Sequence, residues 1–163
     1  MTDFAELELY LLRHAHAGDA SEWAGDDDLR PLSRLGRHQA QLMGEFLALR
    51  AFTPDVLLSS PRTRARQTAE IVGGEIGVRV ALDDRLAAAM DLDDLSQMLE
   101  DLGSQKVVLV GHDPDFTELA GTLAGCGRLP MRKGALARFD VELPLMPGAG
   151  TLRWLVPPEL LGA

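Results

Sequence analysis

The chain has 163 residues, 46% hydrophobic and 25% charged, enough for one domain (1–163) that buries roughly 70% of its unfolded surface without disulfides. Its net charge of −9 repels nucleic acid and anionic membrane, so any phosphate-handling site must be a local basic pocket. The acidic start (1–8) is unlike a secretion signal, no run approaches the roughly 20 apolar residues of a membrane span, and the single Cys126 excludes an internal disulfide; a cytoplasmic protein is expected.

Residues 7–12 are apolar in the main and predict a central strand covered on both faces. A loop through Gly18, the acidic run Asp26, Asp27 and Asp28, and Pro31 follows. Ser33 then caps a helix whose Leu35, Leu42, Phe46 and Leu49 form one apolar stripe. Val56–Ser59 predicts a second buried strand. Ser60 and Pro61 give an N-cap and first helical position, Ala65, Ala69 and Val72 the inward face, and Gly73 and Gly74 the stop.

A short strand is expected at 78–82 and a helix at 91–102, with Leu92, Leu95, Leu99 and Leu102 inward and Gly103 past its end. Residues 106–110 predict a central strand, turned by Gly111-His112-Asp113-Pro114 into a helix facing inward through Leu119 and Leu123. The tail alternates through Ala135, Ala137, Phe139 and Val141, turns at 144–150, and returns as a hairpin partner at Thr151–Val156. The order predicts an α/β fold: a three-layer α/β/α sandwich with a mixed, mostly parallel sheet.

Three of the first four strands end in groups able to hold phosphate: Arg13-His14, then Ser59-Ser60 ahead of Arg62 and Arg64, then His112. Ligands of open α/β sheets bind beyond the carboxyl ends of the strands, so these groups can converge. A phosphoryl group in flight spreads charge over its oxygens and is met by fixed positive donors, which arginine forks and a helix N-terminus at 61–64 supply. A neutral imidazole is a competent nucleophile once its other nitrogen donates to a fixed acceptor. Adjacent strand residues point to opposite faces, so Arg13 and His14 meet only if the backbone leaves strand geometry there.

Leu11-Leu12-Arg13-His14-Ala15 resembles the Arg-His-Gly signature of the histidine phosphatase (phosphoglycerate mutase-like) superfamily, with Ala15 in place of glycine. Ser59-Ser60-Pro61-Arg62-Thr63-Arg64-Ala65-Arg66-Gln67-Thr68-Ala69 is similar to its second arginine block, and 107–110 with Gly111-His112 to the block of its second histidine. The small size, the lack of long insertions and Arg30-Pro31-Leu32-Ser33-Arg34-Leu35-Gly36 look like the short SixA-type phosphohistidine phosphatases. The resemblance implies His14 as phospho-acceptor, with Arg13, Arg64 and His112 holding the phosphoryl oxygens and Arg30 a further candidate. It also implies no cofactor or metal, and a phosphohistidine-bearing protein or a small phosphorylated molecule as substrate. Oligomeric state is expected to be a monomer or weak dimer.

Two departures stand out. Alanine at position 15 is strained only if that backbone has positive φ. Many members carry a glutamate proton donor after the third strand, whereas 83–91 offers none, which leaves Asp91 and Asp84 as candidates for the acid. Rival chemistries are a metal on His14 and His16 with His112 and Asp115, and a cysteine phosphatase loop spanning Cys126 to Arg132. A phosphomonoesterase for sugar or aryl phosphates on the same fold is a further alternative, as is a non-catalytic phosphate-binding module. His38 has no supporting context.

Overall fold

The structure, a computed structural model, describes residues 6–163. Most of the acidic start read as unlike a secretion signal, residues 1–5, lies outside them. Six strands form one sheet: β1 (Leu7–Arg13), β2 (Val56–Ser59), β3 (Val80–Leu82), β4 (Lys106–Gly111), β5 (Leu136–Val141) and β6 (Thr151–Val156), in the order β3-β2-β4-β1-β5-β6. β1, β2, β3 and β4 run parallel, β5 runs in the opposite direction between β1 and β6, and β6 again points the way of β1. The sheet is therefore mixed and mostly parallel, as expected.

Strand alternation divides the apolar residues between two cores. Leu9, Leu11 and Leu109 meet α3 (Leu92–Leu102) and α4 (Asp115–Ala124) on one face. Tyr10, Leu12, Val108 and Val110 meet α1 (Arg34–Ala48) and α2 (Thr63–Ile76) on the other. Leu9, Leu11 and Leu12 are fully buried, each contributing about 2 kcal/mol of hydrophobic transfer. The central strands are thus held rigidly, and their carboxyl ends are fixed points for a site.

Ser33 caps α1 as expected, its hydroxyl accepting from the Gly36 amide at 3.1 Å. The inward face of α1 differs from the predicted stripe. Leu35 and Leu49 are 45% and 85% exposed, and Gly36, Ala40, Met43, Gly44 and Leu47 are buried instead. The reason is close approach: a Cβ on Gly36 would lie 1.9 Å from the His16 carbonyl oxygen, and one on Gly44 2.7 Å from the Glu75 side chain. Small residues carry little hydrophobic signal, yet they let α1 press onto α2 and onto the loop after β1.

The start of α2 is also displaced from the predicted Ser60-Pro61. The helix begins at Thr63, with Arg62 at the N-cap and no side-chain cap. Its end lies at Gly77 (φ 71°) rather than at Gly73 and Gly74. Gly73 sits inside the helix, where a Cβ would meet the Val78 carbonyl oxygen at 2.6 Å as the chain turns back over it. α3 behaves as predicted at its end, with Gly103 left-handed, while Asp91 is its N-cap in a reciprocal capping box with Asp94.

Candidate active site

The order β2-β4-β1 places three strand ends side by side, and each chain continues the parallel ladder by one bond. The His14 amide donates to the Gly111 carbonyl at 2.9 Å, and the Ser60 amide to the Val110 carbonyl at 3.0 Å. His14 and His112 consequently face each other with ring centroids 5.2 Å apart. Gly111 is required here because a Cβ would lie 2.6 Å from the Phe116 ring.

β1 ends at Arg13, and the loop beyond it is pinned from α2: the Ala15 amide donates to Thr68 Oγ1 at 3.0 Å, while that hydroxyl donates to the Arg64 carbonyl at 2.7 Å. Ala15 has no positive φ, so alanine is unstrained in the place of glycine. Its carbonyl lies 2.8 Å from His14 Nδ1. A carbonyl only accepts, so Nδ1 carries the ring proton and Nε2 keeps its lone pair. The loop thereby selects the tautomer a nucleophile needs.

Both histidines, with Arg13, Arg30, Arg62 and Arg64, line a cleft of about 520 Å³, where Lys133 adds a further cation. A basic pocket on an acidic chain is therefore present. The acidic run read as a loop turns out to hold these arginines. Asp27 pairs with Arg30 at 2.9 Å and Arg64 at 3.3 Å, and its carbonyl accepts from Arg64 at 2.8 Å. Asp28 lies 3.0 Å from Arg62 Nε but out of line for a hydrogen bond, so charge rather than directed bonding joins them. Arg13 donates to the Met131 carbonyl at 2.7 Å and pairs with Asp113 at 3.2 Å.

Four buried nitrogens are left without a hydrogen-bond partner among the described residues: Arg13 Nε, Arg62 Nε, Arg64 Nε and His112 Nδ1. Each belongs to a residue of this one cleft. Unpaired buried polar nitrogens are costly, and a set of them around one cleft is suited to an anion.

Burial, then the surrounding charges, lowers both imidazoles. His14 falls to about 3 through desolvation, reinforced by His112, Arg64 and Arg13 and opposed by the Ala15 carbonyl. His112 falls to about 3 through desolvation, reinforced by Arg64, Arg62 and Arg13. Both rings are neutral at physiological pH. NMR titration of the ligand-free protein from about pH 8 to 5 is expected to find neither ring protonated, and an inflection near 6.5 for His14 would contradict it. Because both values lie below the ordinary one, the contribution of these two rings to stability is level above about pH 6.5 and falls as pH drops towards 3, where the unfolded chain takes up protons the fold refuses.

Neither candidate acid lines this cleft. Asp91 is occupied as the α3 cap, accepting from the Asp94 amide at 2.9 Å, and Asp84 is exposed on the Asp84–Ala87 turn. The carboxylates that do line it are engaged: Asp19 with the amide and hydroxyl of Ser21, Asp113 with Arg13 and Thr117. His16 lines the cleft but its Nδ1 bonds Ser33 at 2.7 Å, and His38 is exposed. Among the described residues, no group of three or more His, Cys, Asp or Glu is placed to hold a metal ion. Cys126 is exposed after α4, and Arg132 pairs with Glu159, so the segment between them has neither the preceding strand nor the following helix of a cysteine phosphatase loop. Thr68, Lys133 and the Asp27 clamp were not legible as site features, since each acts across long sequence separations.

Residues 9–106 match the family model of the histidine phosphatase superfamily (branch 1). An uncharacterised protein of Picosynechococcus is 34% identical, the match covering 93% of this chain and all of that protein. The phosphohistidine phosphatase SixA of Escherichia coli is 28% identical over 93% of this chain and 94% of its own. The solved structure of the protein histidine phosphatase SixA complexed with tungstate superimposes with a TM-score of 0.80 at 27% identity, covering 95% of this chain and 99% of that one.

Proposed function

The chain belongs to the histidine phosphatase superfamily (branch 1), and from that membership we propose that it removes phosphate from phosphohistidine in proteins by way of a phosphoryl intermediate on His14. The observation that carries this is the set of four unpartnered nitrogens around the two histidines. A phosphoryl group brings acceptor oxygens to a cleft whose arginines and second histidine carry unpartnered nitrogens. Further support comes from the relative that binds tungstate, an oxyanion with the tetrahedral shape of phosphate.

In this mechanism the lone pair on His14 Nε2 attacks phosphorus, and the P–N bond to the substrate imidazole breaks. The departing nitrogen takes its proton from water. Arg13, Arg64 and His112 hold the equatorial oxygens, with Arg30 a further cation lining the cleft, and neutralise charge as it develops. Water then attacks the phosphorylated His14, releasing phosphate and restoring the free imidazole. The positive charge comes from the protein's own arginines, so the reaction needs no metal. The domain spans 1–163 and works in the cytoplasm as a monomer or weak dimer; among the described residues, no helix is long and apolar enough to cross a membrane.

Expelling an alkoxide needs a positioned acid, whereas an imidazole leaves readily. The cleft's carboxylates are engaged as ion pairs and caps, which favours the better leaving group. We expect kcat/KM to rank phosphohistidine first, para-nitrophenyl phosphate between, and a sugar phosphate last, all unchanged by EDTA. A sugar phosphate turned over best would favour the phosphomonoesterase alternative, and loss of activity in EDTA restored by zinc would favour a metal site.

A further inference from the structure

We infer that Ser60 is a positioning residue: its hydroxyl fixes the tautomer of His112 so that Nδ1 of that ring carries the proton offered to the phosphoryl group. The role assigned to that proton rests on the function proposed above; the tautomer itself does not.

Ser60 is fully buried at the end of β2, and its Oγ lies 2.8 Å from His112 Nε2. The same oxygen accepts from the Arg62 amide at 3.2 Å. Two arrangements satisfy the short contact: the hydroxyl donates to Nε2, or a protonated Nε2 donates to the hydroxyl. In the second the Ser60 hydroxyl hydrogen has no acceptor, because His112 is the only group among the described residues placed to receive it. A buried hydroxyl hydrogen left unpaired is unfavourable, so the serine donates and Nε2 accepts.

That choice decides what His112 can do. Burial and three neighbouring arginines keep the ring neutral, so it has one N–H to place. With Nε2 accepting, Nδ1 carries the proton, and Nδ1 is the ring atom left unpartnered. In the other tautomer Nδ1 would present a lone pair, which repels a phosphoryl oxygen. The hydroxyl's lone pairs meanwhile accept from the Arg62 amide, just ahead of α2, which begins at Thr63.

The test is nitrogen-15 NMR of the His112 ring at neutral pH, in the ligand-free protein and with vanadate bound. Wild type is expected to show a protonated Nδ1 and an accepting Nε2 in both. Ser60→Ala is expected to populate the Nε2–H form, and Ser60→Thr, which keeps the hydroxyl, to restore the wild-type pattern. For turnover of phosphohistidine, Ser60→Ala should cost about 10²-fold in kcat, the lower end for losing one preorganised donor. The loss should not add to that of His112→Ala in the double variant. A protonated Nε2 in wild type overturns the inference without any variant, and multiplying losses overturn it as well. If phosphohistidine is not a substrate, the ring signals still decide the tautomer, so the two readings fail separately.

Discussion

His14→Ala is expected to reduce kcat/KM by at least about 10⁴-fold while leaving the fold in place, because it deletes the only group proposed to form the covalent intermediate. The structural cost is small for identifiable reasons. The backbone bonds of residue 14, from its amide to Gly111 and from Gly134 to its carbonyl, do not depend on the side chain. The lost side-chain bond is the one from Nδ1 to the Ala15 carbonyl, worth about 1 kcal/mol, or about 2–4 °C in Tm for a chain of this size. The vacated space opens on a polar cleft that water can fill. Intact mass spectrometry after an acid-free quench should find a phosphoryl adduct on wild type and none on the variant. A variant that folds and keeps more than a small fraction of wild-type activity would remove His14 from the mechanism.

Arg64→Ala is expected to lower kcat/KM by roughly 10²–10³-fold, the scale of losing one preorganised donor in a buried site. Arg64 is 5% exposed, and its Nε is among the unpartnered cleft nitrogens. Its terminal nitrogens are held by the Asp27 carbonyl and carboxylate, so the fork is oriented before any phosphoryl group arrives. Arg64→Lys should recover only part of the loss, since an ammonium keeps the charge but cannot bond Asp27 and a phosphoryl oxygen in the same plane. Full recovery with lysine would mean that charge alone matters, and that the clamp by Asp27 has no bearing on turnover. Steady-state kinetics of both variants on phosphohistidine separates the two.

The strands were legible because an apolar run is a local signal, and so was the polar residue that ends each run. Caps at Ser33 and glycine stops such as Gly103 were legible for the same reason. The face of α1 was not, because Gly36 and Gly44 pack closely precisely where they contribute no apolar side chain; the leucines at 35 and 49 carry the stronger pattern and face solvent. The N-cap reading of Ser60 differed from the structure, where its hydroxyl accepts from the Arg62 amide and meets His112 while the helix itself begins only at Thr63. Asp91, a candidate proton donor by sequence, caps α3 instead.

By itself, then, the sequence determined which chemical groups sit at strand ends: Arg13 and His14 after one apolar run, Ser59 and Ser60 after another, His112 after a third. Apolar runs and turn residues act over a few positions, so one chain read in order suffices to find them. Tertiary structure alone decided which of those groups meet and in what protonation. Ser60 reaches His112 across 52 residues, Asp27 reaches Arg64 across 37, and Thr68 holds the Ala15 loop across 53. Such contacts depend on the strand order β2-β4-β1 and on how closely α1 and α2 pack beneath it. Only there do burial and neighbouring charge fix both imidazoles as neutral, each with its single proton assigned to one nitrogen.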